Sequence, residues 1–574
     1  MKHANRTCRF AALLGPLLCL ALLSACGGGG SSSAGSGGQN PDSLPPPDGQ
    51  GMPGPVVGEQ RAGISYDVTL TGFDGERIAF TVHEPETLVG GQTYPLLLFG
   101  HGFGAFRQPA LARNAPGSNA AGASIVGFPL AYLQAGYGEI SIDQRGFGQS
   151  TGSVRVLDPE VEGRYLIQIL DWAEANLDWL AYRDNNLLLG ARGGSYGGGY
   201  QLLINNIDPR QRLDAIIPQI TWYDLAYSLG PNNTPKSAYA SALSLLSATG
   251  GSFLDQQFVT GLVNGLADNR LSDELRAELT YHSNRYFCEG MDQPGRAVAA
   301  NAPPPVDALF LQGSFDVLFN LNEAVDNYQC MEAAGGDVRL FTYGLGHVLP
   351  SGVSISSTLP TQPDPNLLRC GDLDEFELSI NWFDAKLKQD PEAIEFVNSL
   401  PEHCLVTAVT GRGVKLDSLT IGGTDTPAFE ATVTQGAAAL PTGVPITLYT
   451  AETDGVVVAG IPTAQITVSP SLDTGNPDGD AIVYATLARS RAGLPGNLEP
   501  IDDQIIPIRG LGTFNLELAG IAEELRAGDA IQLVLSGASL PQFPGIVSRD
   551  LTNPLVDVSG QVKLPILGPV EVSP

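Results

Sequence analysis

The stretch LLLGARGGSYGGGYQLLINN, residues 187–206, decides the fold class. The apolar run Leu187 to Ala191 predicts a buried strand, and the run Tyr200 to Asn206 after it is compatible with a helix. Between them stands a G-x-S-x-G pattern, residues 193–197, whose small residues let a tight turn close. A strand, a tight turn and a helix in this order hold a serine oxygen at the carboxyl end of the strand. The stretch therefore predicts Ser195 as a nucleophile.

The same pattern occurs a second time, at Gly148-Gln149-Ser150-Thr151-Gly152. Because the chain has 69 glycines among 574 residues, chance matches are expected, and the pattern alone decides nothing. Ser150 follows Asp143-Gln144-Arg145-Gly146 and has no predicted strand immediately before it. We therefore expect Ser195, and not Ser150, to be the nucleophile.

A serine hydroxyl is a poor nucleophile until a base takes its proton, and a carboxylate must orient that base. With this type of turn the chain order is serine, acid, histidine. His347 lies in a glycine-flanked loop after a predicted strand at 339–342, as the order requires. The other histidines after the predicted signal peptide precede the serine, fall in a predicted lid or follow the last long helix: His83, His101, His282 and His403.

Asp316 is the predicted acid. It comes shortly after the apolar run Ala308 to Gln312, and one predicted helix, 322–334, and one strand separate it from the histidine. Asp326 and Asp337 are rivals, but the first falls within that helix and the second in a turn.

The segment His101-Gly102-Phe103-Gly104 directly follows a predicted strand that ends at Phe99. The backbone amides of Phe103 and Tyr196 are predicted to bind the oxyanion of a tetrahedral intermediate. The alternative is a simple glycine-rich turn with His101 hydrogen-bonded inside it.

Solid apolar runs alternate with helix-like stretches such as Glu160 to Leu177, and this alternation predicts a mostly parallel α/β sheet. We assign residues 61–404 to this α/β domain and about 222–302, which interrupt the alternation with polar helical material, to a cap. From 405 to 574 short alternating runs lie between Gly, Pro and Asp turns, which predicts an all-β sandwich.

The amino terminus predicts export. Lys2, Arg6 and Arg9 precede a short apolar run, as in a signal peptide, residues 1–25. Leu23-Ser24-Ala25-Cys26 resembles a bacterial lipoprotein signal, which implies acylation of Cys26; cleavage without a lipid is the alternative. The Gly/Ser/Pro-rich residues 26–60 predict a flexible tether. The expected location is a bacterial membrane, at the periplasmic face or the cell surface, held only by the lipid.

Acidic residues outnumber basic ones by 61 to 31, and the resulting charge of −30 argues against nucleic acid as a partner. The sequence has no phosphate-binding loop and no H-E-x-x-H zinc helix, so we expect no cofactor and no metal. The loop 473–480 could offer oxygen ligands to Ca²⁺, but an acidic turn is the preferred interpretation. With Cys8 and Cys19 in the signal and Cys26 assigned to the lipid, four cysteines remain, and they predict two disulfides in an oxidising compartment. Three pairings are possible, and we prefer Cys288–Cys330 with Cys370–Cys404.

Three stretches carry a family resemblance: residues 143–152, Ile169-Leu170-Asp171-Trp172 and Gly194-Ser195-Tyr196-Gly197-Gly198. They resemble the cocaine-esterase and X-prolyl-dipeptidyl-peptidase group of acyl hydrolases, in the α/β-hydrolase superfamily. The resemblance implies a helical cap after the turn, a C-terminal jelly-roll domain, and a structural loop built on an Asp and an Arg around Ser150. Family members commonly use a tyrosine hydroxyl for the oxyanion, whereas Phe103 has none to give.

These observations predict a serine carboxylic-ester hydrolase that acts on small-molecule or peptide acyl substrates through a Ser195–Asp316–His347 triad. One alternative is an X-prolyl-type dipeptidyl peptidase, which would need a carboxylate such as Asp224 or Glu289 for the free amine of its substrate. Another is a non-catalytic surface-binding protein whose β-sandwich holds a polymer or glycan.

Overall fold

The computed structural model describes residues 51–52, 54–109, 130–249, 253–347, 368–407, 411–439, 443–472, 479–494 and 496–573. The predicted signal peptide, Cys26 and most of the predicted tether lie outside these residues, as does most of the loop 473–480. The described chain forms an α/β half, followed by an all-β half.

Ten strands of the α/β half form one sheet. In chain order they are β1 (Ser65–Thr71), β2 (Arg77–His83), β3 (Leu96–Gly100), β4 (Gly138–Ile142), β5 (Leu189–Gly194), β6 (Leu213–Gln219), β7 (Asp307–Gly313), β8 (Val338–Tyr343), β9 (His403–Val406) and β10 (Gly413–Leu416). Their spatial order is β10-β9-β8-β7-β6-β5-β3-β4-β2-β1. Neighbours from β4 to β9 pair in parallel, whereas β1–β2, β2–β4 and β9–β10 are antiparallel. The predicted, mostly parallel α/β sheet is therefore confirmed.

Eleven α-helices are present among the described residues: α1 (Leu130–Gln134), α2 (Glu162–Asn176), α3 (Tyr196–Ile207), α4 (Leu225–Leu229), α5 (Ser237–Thr249), α6 (Gln256–Asp268), α7 (Asp273–Tyr281), α8 (Asn284–Cys288), α9 (Leu321–Ala334), α10 (Glu375–Phe383) and α11 (Pro391–Ser399). Helices α2, α3 and α9 share a core with one face of the sheet, and α1, α10 and α11 share a core with the other. Leu98 faces the first core and Leu97 the second, which is why such strands are apolar throughout.

Five of these helices, α4 to α8, lie between β6 and β7, within the segment that the sequence assigns to a cap. They pack against both halves of the molecule. Phe258, Leu262 and Leu275 belong to the main α/β core, while Leu266 contacts a small cluster of the all-β half.

The all-β half contains thirteen described strands: β11 (Thr424–Asp425), β12 (Phe429–Thr434), β13 (Val444–Thr450), β14 (Val456–Gly460), β15 (Thr463–Pro470), β16 (Ile482–Ser490), β17 (Leu498–Pro500), β18 (Ile506–Arg509), β19 (Gly512–Glu517), β20 (Ile521–Leu525), β21 (Ala530–Ser536), β22 (Leu555–Leu564) and β23 (Ile566–Pro569). They form two antiparallel five-stranded sheets and one three-stranded sheet. One sheet contains β11, β12, β15, β19 and β22; another contains β13, β16, β17, β18 and β21; the third contains β14, β20 and β23.

Three short antiparallel ribbons complete the strands: Gln60–Ala62 with Thr87–Val89, Tyr182–Arg183 with Asn186–Leu187, and Arg369–Cys370 with Leu373–Asp374.

The predicted domain boundary between residues 404 and 405 is wrong, because the α/β sheet includes two further short strands, β9 and β10. β9 crosses that point and pairs in parallel with β8, and β10 then returns beside it, so the α/β sheet continues to Leu416. These two strands have only four residues each, too short for an apolar pattern to identify them.

Two disulfides are present, Cys288–Cys330 and Cys370–Cys404, with Cα–Cα distances of 5.9 and 6.1 Å. This is the pairing preferred from the sequence. The first joins the end of α8 to α9, and the second joins the ribbon at residue 370 to β9.

Candidate active site

Ser195 lies in the turn between β5, which ends at Gly194, and α3, which begins at Tyr196. Its backbone has φ 60° and ψ −119°, a conformation that costs a non-glycine residue free energy and persists only where the surroundings impose it. The Ser195 amide donates to the carbonyl of Gln219 at 2.9 Å, and Thr221 Oγ1 donates to the Ser195 carbonyl at 2.9 Å. Residues at and just beyond the end of β6 thus hold the turn in its strained form.

Two glycines make this turn possible. Gly193 has φ +144°, which favours glycine, and a Cβ there would lie 2.3 Å from the carbonyl oxygen of Gly100. A Cβ at Gly197 would lie 2.0 Å from the same oxygen. The turn therefore packs directly against the end of β3, and side chains at either position would force the two apart.

Three side chains from separate elements meet at the carboxyl ends of the strands. His347 Nε2 lies 2.8 Å from Ser195 Oγ, and His347 Nδ1 lies 2.5 Å from Asp316 Oδ2. Asp316 follows β7, which lies beside β6 in the sheet, and His347 follows β8, which lies beside β7. The structure thus brings the three residues predicted as a triad into one hydrogen-bonded line.

We call Ser314 to Phe319 the acid loop. Its Asp316 is fully buried, and the Oδ1 atom accepts hydrogen bonds from the amides of Leu318 at 3.0 Å and Phe319 at 2.8 Å. The Phe319 ring lies edge-on to the His347 ring, with 5.1 Å between ring centres. One carboxylate oxygen is therefore fixed by the backbone, and the other is left to orient the imidazole.

The segment 101–104 passes beside the serine. A Cβ added at Gly102 would lie 4.0 Å from the Cβ of Ser195, and the ring of Phe103 packs edge-on to that of Tyr196. Tyr196 is the first residue of α3, so its amide has no acceptor within the helix. Both amides predicted for the oxyanion thus belong to segments adjacent to Ser195.

His101 is fully buried within this segment. Its Nδ1 donates to the carbonyl of Gly102 at 2.8 Å, and its Nε2 accepts from the amide of Gln144 at 3.1 Å. Burial lowers the pKa of His101, which favours this neutral form. The hydrogen-bonded histidine of the alternative interpretation is therefore present, and it ties the turn to the end of β4.

Ser150 lies in different surroundings. Its Oγ donates to the carbonyl of Asp143 at 2.7 Å and accepts from the amide of Ala79 at 2.9 Å. The Asp143 carboxylate is paired with the buried guanidinium of Arg107, and Arg145 is paired with Asp74. Residues 143–152 thus form a loop held by buried polar contacts.

The remaining candidates lie away from the serine. His83 contacts Ser65, His282 lies 3.5 Å from Glu278, and the ring of His403 packs on Tyr328. Burial lowers the pKa of His403 to about 4, so this ring is neutral in the fold near pH 7. Of the rival acids, Asp337 pairs with Lys386 and Arg339. Burial raises the pKa of the other, Asp326, to about 7.

Three residues that the sequence analysis missed support the site. Tyr239 donates from its hydroxyl to the carbonyl of His347 at 3.0 Å. Lys236 and Gln504 donate to carbonyls of the acid loop. They come from the cap segment and the all-β half, and no local sequence pattern indicates such distant contacts.

Within the described ranges, His, Cys, Asp and Glu side chains nowhere gather in a group of three or more that could hold a metal ion. None of the helices in the described part of the chain combines the length and apolar character that a membrane crossing requires.

Residues 74–348, just under half of the chain, match the family described as X-Pro dipeptidyl-peptidase (S15 family). A CocE/NonD family hydrolase from Staphylococcus aureus has a similar structure, with a TM-score of 0.59 and 14% identity, over 90% of this chain and 99% of that one. An alpha-amino acid ester hydrolase is similar with a TM-score of 0.56 and 12% identity, over 88% and 97%.

An uncharacterized 31.7 kDa protein of Escherichia coli, encoded in the traX-finO intergenic region, is 28% identical over 198 residues. The match covers 34% of this chain and 60% of that protein, so the chain spans less than two thirds of its relative. The structural matches extend over both halves, including the β-rich C-terminal region. The chain thus resembles the X-Pro dipeptidyl-peptidase and cocaine-esterase-like hydrolases of the α/β-hydrolase type, as its sequence motifs predict.

Proposed function

We propose that the protein is an exported serine hydrolase that cleaves carboxylic esters through an acyl-enzyme, with Ser195, His347 and Asp316 as its catalytic residues. The observation that carries the proposal is the hydrogen-bonded line from Asp316 through His347 to the Ser195 hydroxyl, with contacts of 2.5 and 2.8 Å. A serine in a strained turn, with its hydroxyl directed to a histidine, has the geometry that nucleophilic acyl transfer requires.

In this mechanism Ser195 Oγ attacks the ester carbonyl while His347 Nε2 takes its proton. Asp316 keeps the other imidazole nitrogen, Nδ1, as the protonated one, so that Nε2 is free to act as the base. The imidazolium that forms is stabilised by the buried carboxylate, and it then gives the proton to the departing alcohol. In the second half of the reaction His347 Nε2 takes a proton from water, which attacks the acyl carbonyl. His347 then returns the proton to Ser195 Oγ as the acyl group leaves.

The negative charge that develops on the carbonyl oxygen needs donors that are in place before the reaction. We assign this role to the backbone amides of Tyr196 and Phe103. The amide at the start of α3 also benefits from the positive end of the helix dipole. The buried His101, which anchors the 101–104 turn, keeps the second amide from moving as the charge forms.

A peptidase that releases X-prolyl dipeptides is the second candidate, because the S15 family match covers residues 74–348. Such an enzyme needs a carboxylate for the free amine of its substrate. Asp224 and Glu289, the two candidates from the sequence, both pair with Arg285, at 2.8 and 2.9 Å. Since each of these carboxylates already has the Arg285 guanidinium as its partner, we favour ester over peptide substrates.

The proposal also includes the parts that surround this site. We propose that α4 to α8 form a cap over it and that the all-β half is a jelly-roll-like domain. We further propose that the signal peptide exports the chain and that an acylated Cys26 holds it on the periplasmic face or the cell surface. The substrate is then a small acyl ester or peptide that reaches the outside of the inner membrane.

The proposal is tested with the full chain purified in detergent. We expect it to hydrolyse p-nitrophenyl acyl esters and to be labelled at Ser195 by a fluorophosphonate, with slower or no cleavage of a Gly-Pro anilide. Faster cleavage of the anilide would favour the peptidase. If neither substrate is cleaved and Ser195 is not labelled, the non-catalytic, surface-binding alternative remains.

A further inference from the structure

The acid loop is held from outside by two side chains that belong to other parts of the chain. Four carbonyls of the loop accept their hydrogen bonds, and the one at Ser314 accepts from Gln504 at 3.4 Å. Gln504 Nε2 donates to the carbonyl of Asp316 at 2.8 Å. Lys236 Nζ donates to the carbonyls of Val317 at 2.8 Å and Leu318 at 3.0 Å. The position of the Asp316 carboxylate therefore depends on contacts that come from the all-β half and from the cap segment.

Lys236 lies just before α5 and is 4% exposed, which is rare for a lysine that has no ion pair within 4 Å among the described residues. Removing an ammonium group from water costs several kcal/mol unless its hydrogen bonds and charge are compensated. Two carbonyls satisfy two of its three donors. The carboxyl groups of Glu323 and Asp316 favour the charged form of Lys236 where they are ionised, because both raise its pKa.

Asp316 in the acid loop and Glu323 in α9 are the titratable groups that act on Lys236. Tyr227 in α4 acts on Glu323, while Tyr239 in α5 and His347 after β8 act on Asp316. Burial lowers the pKa of Lys236 to about 8 and raises that of Glu323 to about 8. Burial also raises the pKa of both tyrosines, which therefore stay neutral. Below about pH 8 the lysine is thus charged and Glu323 is protonated.

We infer that Lys236 is a positioning residue of the proposed triad, and that its positive charge behind the Asp316–His347 pair disfavours protonation of His347. This inference rests on the proposed function, because it assigns a consequence to the base of that mechanism. Lys236 acts through the acid loop and does not contact the reacting atoms. Gln504 provides the same kind of hydrogen bond to the same loop without a charge.

The sign of the effect follows from the form of His347 that reacts. The base must be a neutral imidazole in the free enzyme, so kcat/KM rises with pH along the acid limb of its profile. A nearby cation opposes a second positive charge on the imidazole. Without the cation this opposition is lost, and we expect the acid limb of the pH profile to move to higher pH.

The experiment compares variants of the full chain from pH 5 to 9. It measures kcat/KM for p-nitrophenyl acetate and the second-order rate of Ser195 labelling by a fluorophosphonate. Lys236→Met and Lys236→Gln are expected to move the acid limb upward by about half a pH unit or more. Lys236→Gln loses less rate, because its amide still donates to a carbonyl. Lys236→Arg keeps the charge and the acid limb.

Gln504→Leu is the matched neutral control. It is expected to lower kcat, because the acid loop loses a hydrogen bond, but to leave the acid limb in place. An acid limb of Lys236→Met within about 0.2 pH unit of the wild type would overturn the inference. An equal shift of the acid limb in Gln504→Leu and Lys236→Met would also overturn the inference, since distortion of the acid loop would then explain the shift.

If Lys236→Met does not fold, the test compares Lys236→Gln with Lys236→Arg. Acid limbs at the same pH in these two variants would overturn the inference. Labelling of wild-type Ser195 is measured first and is independent of Lys236. A wild-type chain that is not labelled removes the proposed function, and this inference with it. A labelled wild type with unshifted variants removes the inference alone.

Discussion

Ser150 and Ser195 each stand at the centre of a Gly-x-Ser-x-Gly pattern, within residues 148–152 and 193–197. The Ser150 hydroxyl donates a hydrogen bond to the carbonyl of Asp143 and accepts one from the amide of Ala79. The Ser195 hydroxyl lies 2.8 Å from His347 Nε2, on a backbone with φ 60°. The two loops share the same local sequence pattern, but the Ser150 hydroxyl contacts backbone groups and the Ser195 hydroxyl contacts a histidine side chain.

The difference shows what a hydroxyl needs in order to react. A serine whose donor and acceptor are both used by the backbone has no base to take its proton, and it stabilises the fold. The nearby aspartates differ in the same way: the Asp143 carboxylate is neutralised by Arg107, whereas Asp316 is directed at an imidazole. Partners across the sheet, and not the five-residue pattern, separate the two roles.

The largest effect is expected for Ser195→Ala. Ester turnover should fall by roughly 10⁴-fold or more, because the nucleophile is removed and only the binding site and oxyanion donors remain. The free energy of unfolding should stay within about 0.5 kcal/mol of the wild type, or rise, since alanine keeps the turn. Turnover of p-nitrophenyl esters and urea unfolding measure the two quantities.

Ser150→Ala is the matched control, and it should give the reverse result. Activity per folded molecule should stay within about twofold, while the free energy of unfolding falls by about 1–3 kcal/mol because the buried amide of Ala79 loses its acceptor. A folded Ser150→Ala protein without activity would end the distinction between the two serines.

Asp316→Asn should have the next largest effect. Its Oδ1 is held by the amides of Leu318 and Phe319, so an asparagine there turns its NH₂ group toward His347. The imidazole would then carry its proton on Nε2 and could not act as the base, and kcat should fall by roughly 10³–10⁴-fold. Asp143→Asn should instead cost about 3 kcal/mol of stability, because Arg107 loses its buried partner. A comparable loss of kcat in both folded variants would contradict the proposed roles.

The three residues of this site were predictable from the sequence, because their chain order and their positions just after apolar strands identify them. Strands such as β3 and β7 are apolar on both faces because both are covered, so their runs and the residues just after them were identifiable. The helix after Ser195 was predicted to begin at Tyr200, but it begins at Tyr196. Packing of its glycines against β3 and Thr221 overrides their low helix propensity.

Other features depend on contacts that no local pattern records. Gln504 reaches the acid loop from a segment 188 positions away, and Lys236 reaches it from a polar stretch whose burial could not be foreseen. The strands β9 and β10 were missed for a related reason, because His403 and the residues after it gain their apolar surroundings from distant elements such as β8 and Tyr328. Tertiary packing supplies what these short segments lack in sequence signal.

Glu162 links the segment that follows the loop of Ser150 to Tyr196, the residue after Ser195, and its substitution should give the next largest effect. Its carboxylate accepts from the amides of Arg155 and Asp158 at 2.9 and 2.8 Å, and the Tyr196 hydroxyl lies 3.3 Å away. Burial raises the pKa of Glu162 to about 7. The folded protein then keeps a proton that the unfolded chain releases near pH 4.5.

The contribution of Glu162 to stability is therefore present below about pH 4.5 and is lost as the pH rises through about 7. Between pH 5 and pH 8 this group should lower the free energy of unfolding by about 2 kcal/mol. Glu162→Gln, which titrates no proton here, should show a flatter curve in urea unfolding over that range. A wild-type curve with the same slope as that of Glu162→Gln would mean that this carboxyl is already ionised at pH 5.

The smallest effect is expected for Gly102→Ala, which tests the space beside Ser195. The added Cβ would meet Gly194 O at 3.8 Å and Ser195 Cβ at 4.0 Å, ordinary contact distances, so the fold should keep its stability within about 0.5 kcal/mol. The methyl group would still stand where the acyl part of an ester passes. We expect kcat/KM to fall by about tenfold for long acyl chains and less for acetate.

Gly152→Ala is the counterpart in the loop of Ser150. Gly152 has φ +90°, and a Cβ there would lie 2.5 Å from the guanidinium carbon of Arg145, so this change should cost stability through backbone strain and a displaced ion pair. Activity per folded molecule should not change, because that loop holds none of the proposed catalytic or oxyanion groups. If Gly102→Ala left the preference for acyl length unchanged, the acyl group would not pass between the 101–104 turn and Ser195. The proposed role of the Phe103 amide as an oxyanion donor would then lose its support. The role of the Tyr196 amide would not be affected, because it rests on the position of Tyr196 at the start of α3.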